Sequence, residues 1–225
     1  MATQQGEKRR VRRRISRVIK KVEDHLMGGE ILPYFEPFCG VCSVLRYFLG
    51  REDRKVYASD IDPGLIFIWT IMSRTLARPT TPARGASAPL TPNRENVIEL
   101  SEFNEESCKA VSENLNSLEY LSQRLEAISN TFRNVTFEGP CSYEEYDPKG
   151  MLIYCDPPKG NLPDGIFWKT MRKWNEDNII FITEQSAPDD FMKVWGDEKH
   201  TDSLYIHRKL ALLLSLNLIE EIESY

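Results

Sequence analysis

Short runs of apolar, β-branched and aromatic residues recur along this chain, and each gives way to a turn or to a helical spacing. "ILPYFEPF" (residues 31–38) leads into a glycine-containing turn and then Val44, Leu45, Phe48 and Leu49 at helical spacing. "KVYASD" (55–60) leads into "PGLIFIWTIM", where Pro63 suits the first turn of a helix because an N–H there has no intrahelical partner. "MLIYC" (151–155) stops at Asp-Pro-Pro, and after it "GIFWKTMRKW" reads as a helix. "NIIFIT" (178–183) is a fourth strand and "NVTFEG" (134–139) a weaker fifth. Strands alternating with helices predict an α/β fold with a mostly parallel sheet, in which ligands sit at the C-terminal ends of the strands.

Two further stretches are helical by spacing. Val11, Ile15, Val18, Ile19, Val22 and Leu26 predict one amphipathic N-terminal helix whose inner face packs on the sheet. Val111, Leu115, Leu118, Leu121, Leu125 and Ile128 predict a second, long one, with Asn104 as a possible cap and Glu105 and Glu106 in its first turn. Before it, residues 78–93 are rich in Pro, Ala, Thr and Ser and read as a flexible loop. The chain thus divides into residues 1–75 (basic helix and the first half of the core), an insertion over 76–133, and the second half of the core over 134–225. Asp189 and Asp190 in "APDDF" read as a turn and helix start. "DSLYIHRKLALLLSLNLIEEI" fits either late antiparallel strands or a helix.

Charge sharpens the picture of the first helix. Residues 8–21 hold nine of the 29 Lys and Arg and no acid, so the rest of the chain carries 20 basic residues against 34 acidic ones. Such a block is usually a solvated helix face and sometimes a nucleic-acid contact. At 225 residues and 41% hydrophobic composition, one cored domain is expected. No run approaches the roughly 18 apolar residues of a membrane span, and the basic N-terminus lacks the apolar segment of a secretory signal. Five cysteines, mostly inside apolar runs, suit a reducing compartment, so a soluble intracellular protein of cytoplasm or nucleus is expected. Cys39 and Cys42 have C-x-x-C spacing without a second pair, and read as core or loop thiols. His25, His200 and His207 are scattered, and no metal site is expected.

Three strand ends carry candidate chemistry. In "EPFCGVC" (36–42) a glycine just past a strand lets the backbone approach a ligand. In "SDID" (59–62) Asp60, at the tip of the second strand, is placed to accept hydrogen bonds from ribose hydroxyls, while Asp62 suits an N-cap for the helix at Pro63. In "CDPP" Asp156 is followed by Pro157 and Pro158, whose lack of N–H groups leaves an acceptor-only corner suited to a substrate –NH₂ group.

In this order, "EPFCG", "YASDIDP" and "IYCDPP" resemble the nucleotide-binding and catalytic motifs of the Dam-class DNA adenine methyltransferases, of the kind found in phages and large DNA viruses. The likeness covers about residues 31–71 and 137–195 and extends weakly to "QGEKRRVRRRI" near the N-terminus. It implies a Rossmann-like, S-adenosylmethionine-dependent methyltransferase sheet flanked by helices, acting on a flipped adenine of duplex DNA, with no metal and no membrane. Phe38 and Gly40 would line the methionine side of the cofactor, Asp60 would hold its ribose with Ile61 beside the adenine ring, and Gly6, Lys8 and Tyr143 would contact it. Asp156 would accept a hydrogen bond from the exocyclic amino group of the target adenine, helped by the Pro157 carbonyl.

The sequence departs from the family on the substrate side. Relatives carry an aromatic after the two prolines, where this chain has Lys159. The stretch 78–93 replaces a loop rich in Gly, aromatics and Lys, and Cys42 stands where many relatives have a second glycine. Two alternatives follow: a catalytically impaired relative that binds cofactor or DNA, and a methyltransferase acting on an amino acceptor other than DNA.

Overall fold

The computed structural model describes residues 4–50, 53–74, 131–159, 164–196, 203–214 and 218, the side chains of residues 4–9 and 74 excepted. The insertion helix with its cap at Asn104 and the 78–93 stretch lie outside the described residues.

The N-terminal apolar stripe forms helix α1 (Gln4–Met27). Strand β1 (Tyr34–Glu36) follows and is far shorter than its apolar run, because Pro33 and Pro37 bracket it and neither can donate to a ladder. The helical spacing after the glycine turn yields a single 3-10 turn, Leu45–Phe48, and not an α-helix. Strand β2 (Val56–Asp60) and helix α2 (Pro63–Arg74) come next, with Pro63 as the first helical residue. Strand β3 (Val135–Pro140), the 3-10 turn Tyr143–Glu145, strand β4 (Leu152–Cys155), helix α3 (Gly165–Trp174) and strand β5 (Ile179–Glu184) complete the parallel part.

The chain then departs from the turn-and-helix reading of "APDDF". Asp189 and Asp190 do form a turn, but it opens strand β6 (Phe191–Gly196), which pairs antiparallel with β7 (Ser203–His207). Its Phe191, Val194 and Trp195 are buried while Lys193 is exposed, a pattern interrupted by a register shift between Lys193 and Trp195. The C-terminal segment resolves into β7 and the short helix α4 (Arg208–Ala211).

The sheet has seven strands in the order β3-β2-β1-β4-β5-β7-β6. The first five are parallel, and β7 runs antiparallel to both its neighbours. The strand order reverses between β1 and β4, the switch point of a doubly wound sheet. Side-chain alternation sends successive residues to opposite faces. Tyr34, Leu152, Tyr154 and Phe181 join Ile15, Val18, Ile19 and Val22 of α1 in one core cluster. Phe35, Ile153, Cys155, Ile180 and Ile182 join Phe167, Met171 and Trp174 of α3 in the other. The architecture is therefore a mixed sheet between helical layers, compatible with a Rossmann-like fold. No helix among the described residues is long and apolar enough to cross a membrane.

Helix α1 is fixed in direction by a buried ion pair. Arg54 Nη2 lies 2.6 Å from Glu23 Oε2, both side chains almost fully buried, and Glu23 Oε1 accepts from the Leu32 N–H (3.2 Å). Leu32 and Arg54 immediately precede β1 and β2, so the C-terminal half of α1 lies at the foot of the sheet. Removing one partner strands a buried charge. Arg54→Ala should therefore lower unfolding free energy by about 3–5 kcal/mol in urea titrations, while a Glu23→Leu/Arg54→Met double variant should recover most of that loss.

Candidate functional site

A cavity of about 490 Å³ opens at the switch point, at the C-terminal ends of four neighbouring parallel strands. Its lining comes from the segments after β1 (Phe38, Gly40), β2 (Asp60, Ile61, Asp62), β3 (Ser142, Tyr143) and β4 (Asp156, Pro158). Of the residues singled out by sequence, Phe38, Gly40, Asp60, Ile61, Tyr143, Asp156 and Pro158 are thus brought together. Pro157 is buried beside the cavity, and Lys159 is exposed and does not line it. Gly6 and Lys8 fall in the first turns of α1, where side chains are outside the described set.

The loop after β1 is tied down by its neighbours. Gly40 has φ +46°, in the left-handed region that glycine adopts without a Cβ clash. Its N–H donates to Asp60 Oδ2 (2.9 Å), and its carbonyl accepts from Trp69 Nε1 of α2 (2.8 Å). The Cys39 N–H donates to the Ser59 carbonyl (2.9 Å). Asp60 is more committed than a ribose acceptor alone, because its Oδ1 also accepts from the Asp62 N–H (3.0 Å). Each oxygen keeps a lone pair for a ligand hydroxyl, so the carboxylate can serve both purposes. Asp62 caps α2 by accepting from the Gly64 and Leu65 N–H groups (2.8 and 3.2 Å).

Cys42 has φ +52°, the only non-glycine among the described residues in this region, which explains why a glycine suits its position. Cys39 and Cys42 are both buried, and contact with Cys39 followed by burial pushes the Cys42 thiol far up, leaving it protonated and unreactive. Of the two readings their spacing left open, core or loop thiols, the structure selects core.

The aromatic wall is built by Phe38 and Tyr143, whose ring centroids are 5.3 Å apart, with Phe167 behind both. Burial, then Glu144, pushes the Tyr143 hydroxyl up to about 12, so it stays protonated. Tyr154, Phe167 and Trp168 pack elsewhere: Tyr154 bonds Thr183 Oγ1 (2.8 Å), Phe167 is fully buried, and Trp168 packs on Phe191. None of the three lines the cavity.

Three features escaped the sequence. Asp164 caps α3 by accepting from the Phe167 N–H (2.8 Å) and so reaches the cavity rim; an acid just before a helical run was the available signal. Glu144 enters from the 3-10 turn, which Ser142 and Glu145 hold as a capping box. As a result the charged lining among the described residues is acidic: Asp60, Asp62, Glu144, Asp156 and Asp164. The third is Glu36, an acid inside the β-forming run "YFEPF". It is fully buried at the end of β1, where its Oε2 accepts from the Tyr34 hydroxyl (3.2 Å). Burial raises its carboxyl well above the usual range, the Tyr34 bond opposes this, and the charge of Asp156 raises it further.

That shift has a pH signature. The folded chain holds a proton on Glu36 that the unfolded chain releases near pH 4.3 or so. The stability from this group is whole below that pH and is lost as pH rises toward the folded-state value. Relative to Glu36→Gln, the wild type should therefore lose stability with rising pH, by at most about 1.4 kcal/mol per unit. Urea midpoints of both proteins from pH 4 upward, in steps of about one unit, test this; a constant difference would mean that the carboxyl is charged in the fold. No protein-family model matches this chain, and the search of curated proteins gave no match.

Proposed function

We propose that this protein binds S-adenosylmethionine in the switch-point cavity and methylates the exocyclic amino group of adenine in DNA. The observation that carries this reading is the convergence of three strand-end motifs on one cavity whose charged lining, among the described residues, is acidic. A dinucleotide would bring a pyrophosphate, which such a lining repels and which needs basic groups or free helix N–H donors. S-adenosylmethionine carries a sulfonium and an ammonium against one carboxylate, a net positive charge that is favoured beside carboxylates. The cavity volume lies within the range of small-molecule sites.

In this assignment the Phe38–Gly40 loop and Tyr143 hold the methionine half, and Asp60 and Ile61 hold the nucleoside. When bound, the cofactor supplies an electrophilic methyl group. Asp156, exposed at the end of β4, accepts from the amino N–H groups of the acceptor base. The lone pair of that amino nitrogen is delocalised into the ring and attacks poorly. Acceptors on its hydrogens favour a pyramidal nitrogen, and this interaction strengthens toward the transition state. The base must leave the duplex to reach the site.

One observation favours a second reading, a relative that binds without transferring. The residue after the two prolines is the exposed Lys159, which cannot supply the base stacking worth about 1–3 kcal/mol per base.

Incubation with methyl-labelled S-adenosylmethionine and unmethylated duplex DNA, followed by digestion, should yield labelled methyl-adenine. Asp156→Ala should abolish the label and leave calorimetric cofactor affinity within about threefold, as expected for a contact made mainly in the transition state. Cofactor binding without label in the wild type would select the second reading. No cofactor binding at all would remove both cofactor assignments.

A further inference from the structure

Helix α1 has two sharply different faces. Ile15, Val18, Ile19 and Val22 are buried in the core, and on the opposite side Arg10, Arg13 and Arg17 are exposed. These three stand at i, i+3 and i+7, one stripe of a helix. None of them makes an ion pair within the described residues. The stripe continues to Lys20, which is anchored on the Tyr47 carbonyl and lies 5.2 Å from the Phe48 ring centroid.

The direction of α1 decides where this ridge lies. Glu23 sits at the foot of the sheet, bonded beside the starts of β1 and β2. Arg12 is close enough to Glu36, at the far end of β1, to lower its carboxyl pKa. The helix therefore runs antiparallel to β1, so Arg10 and Arg13 lie toward the end of the sheet where the cavity opens and Arg17 about one helical turn nearer its foot. The strand ends thus carry an acidic cavity, and the outer face of the helix packed on the sheet carries a cationic ridge.

We infer that the Arg10–Arg13–Arg17 ridge binds the phosphate backbone of duplex DNA beside the cavity. Seven residues of helix advance about 10 Å, the axial length of about three phosphates on one strand of B-DNA. Three guanidiniums thus meet three phosphates, each a charge-assisted contact. A lipid surface fits less well, because interfacial helices insert an apolar face and the apolar face of α1 is already spent in the core. The acidic lining also repels phosphate, so a backbone contact has to lie outside the cavity. Phosphate binding here rests on α1 alone; the choice of DNA rests on the proposed function.

The test is fluorescence anisotropy with a short labelled duplex, without cofactor, across about 50–200 mM salt. Wild-type affinity should fall steeply with salt. The Arg10→Gln/Arg13→Gln/Arg17→Gln variant should have a log–log salt slope shallower by about 2.7 and bind at least about tenfold more weakly at the low end. Gln matches Arg closely in helix propensity and these positions are exposed, so an unchanged melting curve is expected as a folding control. A Lys149→Gln/Lys169→Gln/Lys173→Gln variant, with the same change in net charge, should keep the wild-type slope. The inference is overturned if the arginine variant keeps the wild-type slope, or if both triple variants lose equally. It is also overturned if the wild type binds anionic vesicles or polyglutamate but not the duplex. A wild type that binds the duplex with this salt dependence but never methylates it would sink the catalytic reading and leave this one standing.

Discussion

The site depends on how the chain leaves β1. The segment after Glu36 passes the tip of β2 at the edge of the cavity, and a single carboxylate fixes its path. Asp60 reaches from the end of β2 to the Gly40 N–H, while α2 holds the Gly40 carbonyl through Trp69. The turn takes a backbone at positive φ here, and Gly40 adopts it without a Cβ clash. The same carboxylate orders the Asp62 N–H and hence the start of α2. Cavity wall, helix entry and strand tip are thereby one hydrogen-bonded unit.

The second organising feature is charge segregation. Acids are concentrated where four strand ends meet, and arginines on the outer face of the neighbouring helix. Each is disfavoured if spread into the other's territory: a guanidinium in the cavity would oppose a cationic ligand, and a carboxylate on the ridge would weaken its field. Glu36 shows the limit of the arrangement. It is fully buried at the end of β1, where burial and the charge of Asp156 both favour its neutral form.

Much of this was legible in the chain. The parallel strands and α1, α2 and α3 follow from period-two and period-three-to-four patterns, and the three strand-end motifs do converge. Asp62 as a cap follows from local chemistry alone, whereas Cys39 and Cys42 read only as core or loop thiols until their burial is seen. What was not legible depends on partners distant in sequence. Strand β6 is defined by β7, beyond the pattern "FMKVW" can show by itself. The 3-10 turn Leu45–Phe48 replaces a helix because the loop before it is already fixed to β2 and α2. Glu36 looked like part of a motif, and only its burial identifies it as a proton-holding group.

The brevity of β1 has a consequence for the cavity above it. Pro33 and Pro37 frame a strand of three residues whose ladder partners are Val56 and Leu152 opposite Tyr34. A slip by one position in either direction would carry a proline into a place that calls for a donor. Register in most strands is chosen by which side chains face inward; in this one it is also chosen by the donors the sequence withholds. The two prolines act as mechanical stops. They set the height at which Phe38 and Gly40 emerge relative to Asp60 and Asp156, so the spacing of the cavity walls is written into the ends of a strand that takes no part in lining it.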